Sequence, residues 1–444
     1  MLSSASFLQA LLLPHNKVLQ MQSNKLSGHP VICQLLSFVP RELVKQAAEK
    51  FEADRYYKTM TTYNQLVFML YGIVTKAPSL NSLCKCLLFL DGKLSQLGIT
   101  QLPASSTLSD ANIERDSAVF KELYDLLLDH YKSELKNSYF NSPVNNEAPS
   151  EKVMRFDSTT FSLFVDVLKG AGRNPTNGKK KGGIKAHCLL PFNSRVPSLV
   201  YLTESAKNDR DFLGQLKLVT GNIYVFDKGY VNYKLYADWT AQSVFFVTRM
   251  KDNATYKVLS EDTQIDVVEA LNCGGILKDQ IVELSLGYNN EGVKLRLVTY
   301  KDPLTGKVLQ FLTNLFDYQA ATIAQLYKCR WGIEPFFKQI KQNFEVGYFY
   351  SDSSNGIETQ IWITLIANLI FTIIHQKVKE AEQFTTIVAT SRANMGSFVC
   401  MISILKRSRL NHYDRNNEIV QLQIFEIQKG GVFKTKNKNH LNSS

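Results

Sequence analysis

Cysteine and histidine are scarce in this chain, with seven of each among 444 residues. The cysteines (Cys33, Cys84, Cys86, Cys188, Cys273, Cys329 and Cys400) are odd in number and scattered. That excludes a disulfide framework and points to a reducing compartment. Cys84 and Cys86 lack a second pair at zinc-finger spacing and the histidines are dispersed, so no structural zinc is expected. Long hydrophobic runs are missing as well. The segment IWITLIANLIFTIIH, residues 361–375, is too short to cross a bilayer comfortably and contains Asn368. A buried helix, no membrane partner and a cytoplasmic location are expected. The apolar N-terminal run lacks a basic leader and a small-residue cleavage site, which argues against a signal peptide. Met21 offers an alternative start that would leave the first twenty residues outside the fold.

Acids are outnumbered. Against 51 lysines and arginines stand 40 aspartates and glutamates, a net charge of +11 that favours polyanionic partners. The glycine-rich, basic stretch GAGRNPTNGKKKGG, residues 170–183, has no GKS or GKT ending. It is therefore no nucleotide cradle, though it suits a hairpin tip near a phosphate backbone.

The hydrophobic period divides the chain. From about residue 30 to 140, segments such as TYNQLVFMLYGIVT and DSAVFKELYDLLLDHYKSEL place apolar residues three and four apart, predicting an all-helical region. Such a region fits a DNA-binding module or a generic helical bundle equally well. Residues 136–150 are polar and contain proline, as a linker would. Beyond them VMRFDSTTF, GIKAHCLLPF and SLVYLTES predict three strands, DRDFLGQLKLVT a helix and NIYVFDKGY a buried strand, hence a mixed α/β sheet. Strand-like segments follow to about residue 315, then helices to about 410 and a polar basic tail. No internal repeat is apparent.

Two aspartates sit where solvation is poor. Asp157 follows VMRF and Asp227 follows IYVF, so each needs a partner or a cation, unless it merely caps a turn. Glu334 stands apart in YKCRWGIEPFFKQIKQNF, among cations and aromatics. Tyr327, Arg330, Glu334 and Lys341 are spaced by three, four and seven, which places them on one face of a helix. Pro335 disfavours an unbroken helix and predicts a kink or restart at Glu334. Two strand-borne aspartates and a helix-borne glutamate can converge on a pair of Mg²⁺ ions, with Mn²⁺ as a substitute. Two such ions about 3.5 to 4 Å apart suit in-line displacement at a phosphodiester.

FDSTTF, FDKGY and the array Tyr327, Arg330, Glu334 and Lys341 resemble the DDE triad and Y-R-E-K signature of bacterial insertion-sequence transposases. The likeness is to the subgroup with a β-rich insertion before the glutamate, and it covers roughly residues 150 to 410. It implies an RNase H-like mixed-sheet core at 150–411 with an insertion at about 250–310, a preceding helical DNA-binding domain at 22–140 and a tail at 412–444. It implies Asp157, Asp227 and Glu334 as catalytic metal ligands. Arg330 and Lys341 would contact phosphate, Tyr327 the DNA backbone, and Lys338 and Arg249 are further candidates. The implied activity is cut-and-paste transposition through a hairpin, by a homodimer on double-stranded inverted-repeat ends and target DNA, in the bacterial nucleoid. Trp239 and Trp331 are candidates for stacking on a flipped base, although core positions suit both. Asp209 has no assigned role. The alternatives are a catalytically silent DNA-binding protein derived from a transposase, against which the retained triad argues, and an RNase H-like nuclease without strand transfer.

Overall fold

The computed structural model describes residues 28–135, 148–162, 183–204, 213–214, 216–265, 267–285, 292–378 and 382–407. The N-terminal run, most of the linker, nearly all of the glycine-rich stretch, Asp209 with residues 210–212 and 215 of the helix expected at 209–220, and the tail lie outside them, while residues 216–219 of that expected helix are not helical.

Among the described residues nine strands form one sheet: β1 (Val153–Ser162), β2 (Gly183–Pro191), β3 (Leu199–Glu204), β4 (Ile223–Val225), β5 (Phe245–Arg249), β6 (Tyr256–Glu261), β7 (Gly275–Leu284), β8 (Val293–Lys301) and β9 (Val308–Thr313). Their order is β3-β2-β1-β4-β5-β9-β8-β7-β6. β1, β2 and β3 pair antiparallel, while β4 is parallel to β1 and β5 to β4. This five-stranded part is the RNase H-like core that the family resemblance implies. The strands of the β-rich insertion extend it, because β9 pairs antiparallel with β5 and β8, β7 and β6 follow in turn.

The helices before the sheet are α1 (Val31–Leu36), α2 (Arg41–Lys50), α3 (Thr62–Thr75), α4 (Leu80–Leu87), α5 (Ser105–Glu114), α6 (Ala118–His130) and α7 (Lys132–Leu135). Local chemistry sets several starts. The hydroxyls of Thr61 and Ser79 accept from the amides of Asn64 and Ser82 and so cap α3 and α4. Within the sheet region lie α8 (Tyr233–Ala241), which connects β4 to β5, and α9 (Val267–Cys273). After it come α10 (Ala320–Cys329), α11 (Glu334–Asn343), α12 (Ser354–Lys377), α13 (Phe384–Ala393) and α14 (Met401–Arg407).

α12 carries the long apolar segment and is buried on nearly every side from Gly356 to His375. It packs against α3, α5 and α6 on one hand and α11 and α13 on the other. Leu66, Phe68, Phe120 and Leu123 of the N-terminal helices therefore share a core with Ile366, Ile370 and Phe371. Each such side chain contributes about 1.5–3 kcal/mol on full burial, which explains why so apolar a helix lies inside the protein. Asn368, the polar residue of this run, accepts from the Gln339 amide at 2.7 Å. A second core joins α8 to the insertion through Trp239, Tyr236, Phe246, Leu295 and Leu312.

Candidate active site

Asp157 lies within β1 and Asp227 two residues beyond β4. Arg155 of β1 pairs with Val225 of β4, so continuing this parallel register by two residues sets the aspartates level on neighbouring chains. Asp157 is half-buried, and its Oδ1 accepts from the amide of Ser158 at 2.8 Å. Burial raises its carboxyl above the ordinary range, with the Ser158 amide and Arg330 opposing and the charges of Asp227 and Glu334 adding.

Glu334 arrives on a separate element. α10 ends at Cys329, a 3-10 turn spans Arg330–Ile333, and α11 restarts at Glu334 with Pro335 in its first turn. Proline lacks the amide that an interior helical position must donate, so the first turn accommodates it and the break falls where the sequence predicts.

Arg330 draws these parts together. Its Nη1 donates to Asp157 Oδ2 at 2.7 Å, and its Nη2 lies 3.4 Å from Glu334 Oε1. Asp227 joins through Tyr327, whose hydroxyl donates to Asp227 Oδ1 at 3.1 Å and whose ring lies 5.8 Å below the guanidinium. Burial alone would lower the Arg330 pKa, but Tyr327 and the three acids together raise it. Tyr327 is buried and stacks on Phe311, with ring centroids 4.7 Å apart. Burial, followed by the charge of Asp227, pushes its phenol well up.

The remaining sequence-predicted residues surround this cluster. Lys341 is exposed and donates to the Thr160 carbonyl at 3.0 Å, and Lys338 is exposed on the same helix. Arg249 ends β5 and acts electrostatically on Tyr327. Of the tryptophans, Trp331 is 41% exposed in the 3-10 turn, whereas Trp239 packs among Phe226, Tyr236 and Phe246. Tyr327 faces Asp227 from the interior, and Arg330 faces the acids.

Three carboxylates without a thiolate or imidazole form a hard oxygen set, which suits Mg²⁺ or Mn²⁺. Among the described residues no three acids, histidines or cysteines stand close enough to hold an ion in this arrangement. The donors fit such an ion chemically, and a guanidinium serves as their counter-charge here. Sequence reasoning did not single out Arg155, a buried cation two residues before Asp157. A charge alternating with apolar residues in a core strand was the available signal.

Residues 149–370 match the family described as transposase DDE domain, and residues 27–100 match a domain of unknown function. A protein named as transposase y4zB from Sinorhizobium fredii is 30% identical over 273 residues, which is 61% of this chain and 71% of that protein. One named as the transposase of insertion sequence element IS5377 from Geobacillus stearothermophilus is 25% identical over 50% of this chain and 57% of its own length. One named for element IS4SA from Synechocystis is 21% identical over 61% and 71%. With residues 149–370, half of its length, matched by the transposase DDE domain, this chain belongs to the DDE-domain transposases of bacterial insertion sequences.

Proposed function

We propose that this chain cuts the ends of the element that encodes it and joins the freed 3′ ends to target DNA, by cut and paste through a hairpin intermediate. One observation supports this most. Asp157, Asp227 and Glu334, far apart in sequence, are linked through a single guanidinium, two of them directly and Asp227 by way of Tyr327.

Asp157, Asp227 and Glu334 would hold divalent cations, two Mg²⁺ with Mn²⁺ able to substitute. Such ions supply an activated hydroxyl and a counter-charge for the leaving oxygen. The chain's own groups position the DNA. Arg330, Lys338, Lys341 and Arg249 would hold phosphate oxygens on either side of the scissile bond. Tyr327 would keep Asp227 turned toward the reacting strand through its 3.1 Å bond. Residues 22–140 would bind the inverted-repeat ends, 150–411 would carry the chemistry with the insertion at about 250–310, and 412–444 would be a basic tail. The working form would be a homodimer on double-stranded DNA in the bacterial cytoplasm, at the nucleoid.

The test is cleavage of a linear duplex carrying the DNA that flanks the gene on both sides, with Mg²⁺ present. Nicking at the ends that Asp157→Asn abolishes is the expected outcome. Binding without nicking in either Mg²⁺ or Mn²⁺ refutes the proposal in favour of a silent DNA-binding protein.

A further inference from the structure

Arg155 and Asp157 are two residues apart on β1 and so share a face of the strand. Arg155 is 4% exposed. Its Nη2 converges on three carbonyls at and just beyond the end of β2, those of Pro191 at 2.9 Å, Phe192 at 3.3 Å and Ser194 at 3.2 Å. The guanidinium lies 5.5 Å from the Phe192 ring, and none of these bonds is to a carboxylate. Burying a cation without an anionic partner is costly, and an apolar residue would avoid that cost.

The other side of the guanidinium meets the turn that carries the signature residues. A Cβ built on Gly332 would lie 2.2 Å from Arg155 Nη1. The end of a long side chain usually yields to such an intrusion. Here the three carbonyls and the Phe192 ring pin it. Gly332 belongs to the Arg330–Ile333 turn, which begins with Arg330 and ends one residue before Glu334. The height of this turn above β1 therefore sets how far Glu334 stands from Asp157.

We propose that Arg155 and Gly332 are a positioning pair, a pinned guanidinium packed on a bare backbone that fixes the separation of Glu334 from Asp157. This rests on the three acids being the cation ligands. Gly332→Ala adds one methyl group and removes no side chain proposed to contact DNA, yet it should lift the turn and spread the ligands.

The experiment compares wild type, Gly332→Ala, Gly332→Ala with Arg155→Lys, and Asp157→Asn, each matched for folded fraction by thermal melting. The alanine variant is expected to lose at least tenfold in kcat on the flanking-DNA duplex with KM within twofold. Its affinity for Mn²⁺, read by electron paramagnetic resonance without DNA, should weaken several-fold. Adding Arg155→Lys should restore most of both, because an ammonium needs less room and still donates to the carbonyls. A lower melting temperature with kcat and Mn²⁺ affinity unchanged overturns the proposal, as does failure of the lysine to rescue. If Asp157→Asn abolishes cleavage while Gly332→Ala is neutral, only the positioning pair falls. If Asp157→Asn still cleaves, the ligand assignment beneath it falls too.

Discussion

Replacing Arg330 with glutamine should make the protein bind divalent cations more tightly while it cuts DNA less well. Arg330 is 8% exposed, and its guanidinium donates to Asp157 at 2.7 Å. A cation that gathers the acids must first break this contact, a charge-assisted hydrogen bond worth about 1.5–3 kcal/mol. The contact to Glu334 matters less. It is 3.4 Å long, Glu334 is 60% exposed, and such pairs contribute about 0–1 kcal/mol. Removing the competitor should raise affinity roughly ten- to a hundredfold, since each 1.4 kcal/mol is tenfold. The same loss leaves three acids without their counter-charge. The variant should therefore melt lower than wild type in EDTA and gain more from Mn²⁺. Electron paramagnetic resonance titration of Mn²⁺ without DNA, on wild type, Arg330→Gln and Arg330→Gln with Asp157→Asn, measures the effect directly. Cleavage should fall, because Arg330 is also a proposed phosphate contact. Affinity equal to or below that of wild type would refute the competition argument.

Other outcomes follow from the same geometry. Asp157→Asn, Asp227→Asn and Glu334→Gln should each cut end cleavage by more than about a hundredfold while end binding changes little, because ligation and docking use different groups. Near-normal cleavage by any one removes it from the ligand set. Lys338→Ala and Lys341→Ala should each flatten the plot of log K against log salt by about 0.9 if each holds one phosphate, and an unchanged slope excludes that contact. Arg296 is buried, bonds Asp279 at 2.8 and 2.6 Å and donates to the carbonyls of Leu315 and Phe316 at 3.1 and 3.0 Å. Arg296→Met strands Asp279 and should cost about 3–5 kcal/mol in denaturant unfolding, and a loss below about 1 kcal/mol would contradict this. Phe371→Ala on α12 should cost about 3–5 kcal/mol and lower one transition shared by N-terminal and C-terminal helices. Two separate transitions would mean that the N-terminal helices fold alone.

Much of this was legible in the chain. The apolar runs leading into Asp157 and Asp227 marked where those acids could sit, because a short continuous apolar run bounded by polar residues reads as a buried strand. Pro335 dictated a helix start at Glu334 for a purely local reason, the missing amide. The run at 361–375 read as a buried helix from its length and its asparagine. The identity of its neighbours was not legible. A helix pattern shows that a face needs covering but not what covers it, so the pairing of α12 with α3, α5 and α6 emerged only from packing.

The acids divide along the same line. Sequence alone named Asp157, Asp227 and Glu334, together with the cations near Glu334, as residue types able to handle phosphodiesters. Tertiary structure decided that Arg330 lies among the three acids, that Tyr327 turns inward to Asp227, and that Arg155 packs against Gly332. These arrangements depend on residues a hundred or more positions apart meeting at one end of the sheet. No local propensity encodes such distances, which are set by strand order, register and the volume of the side chains between.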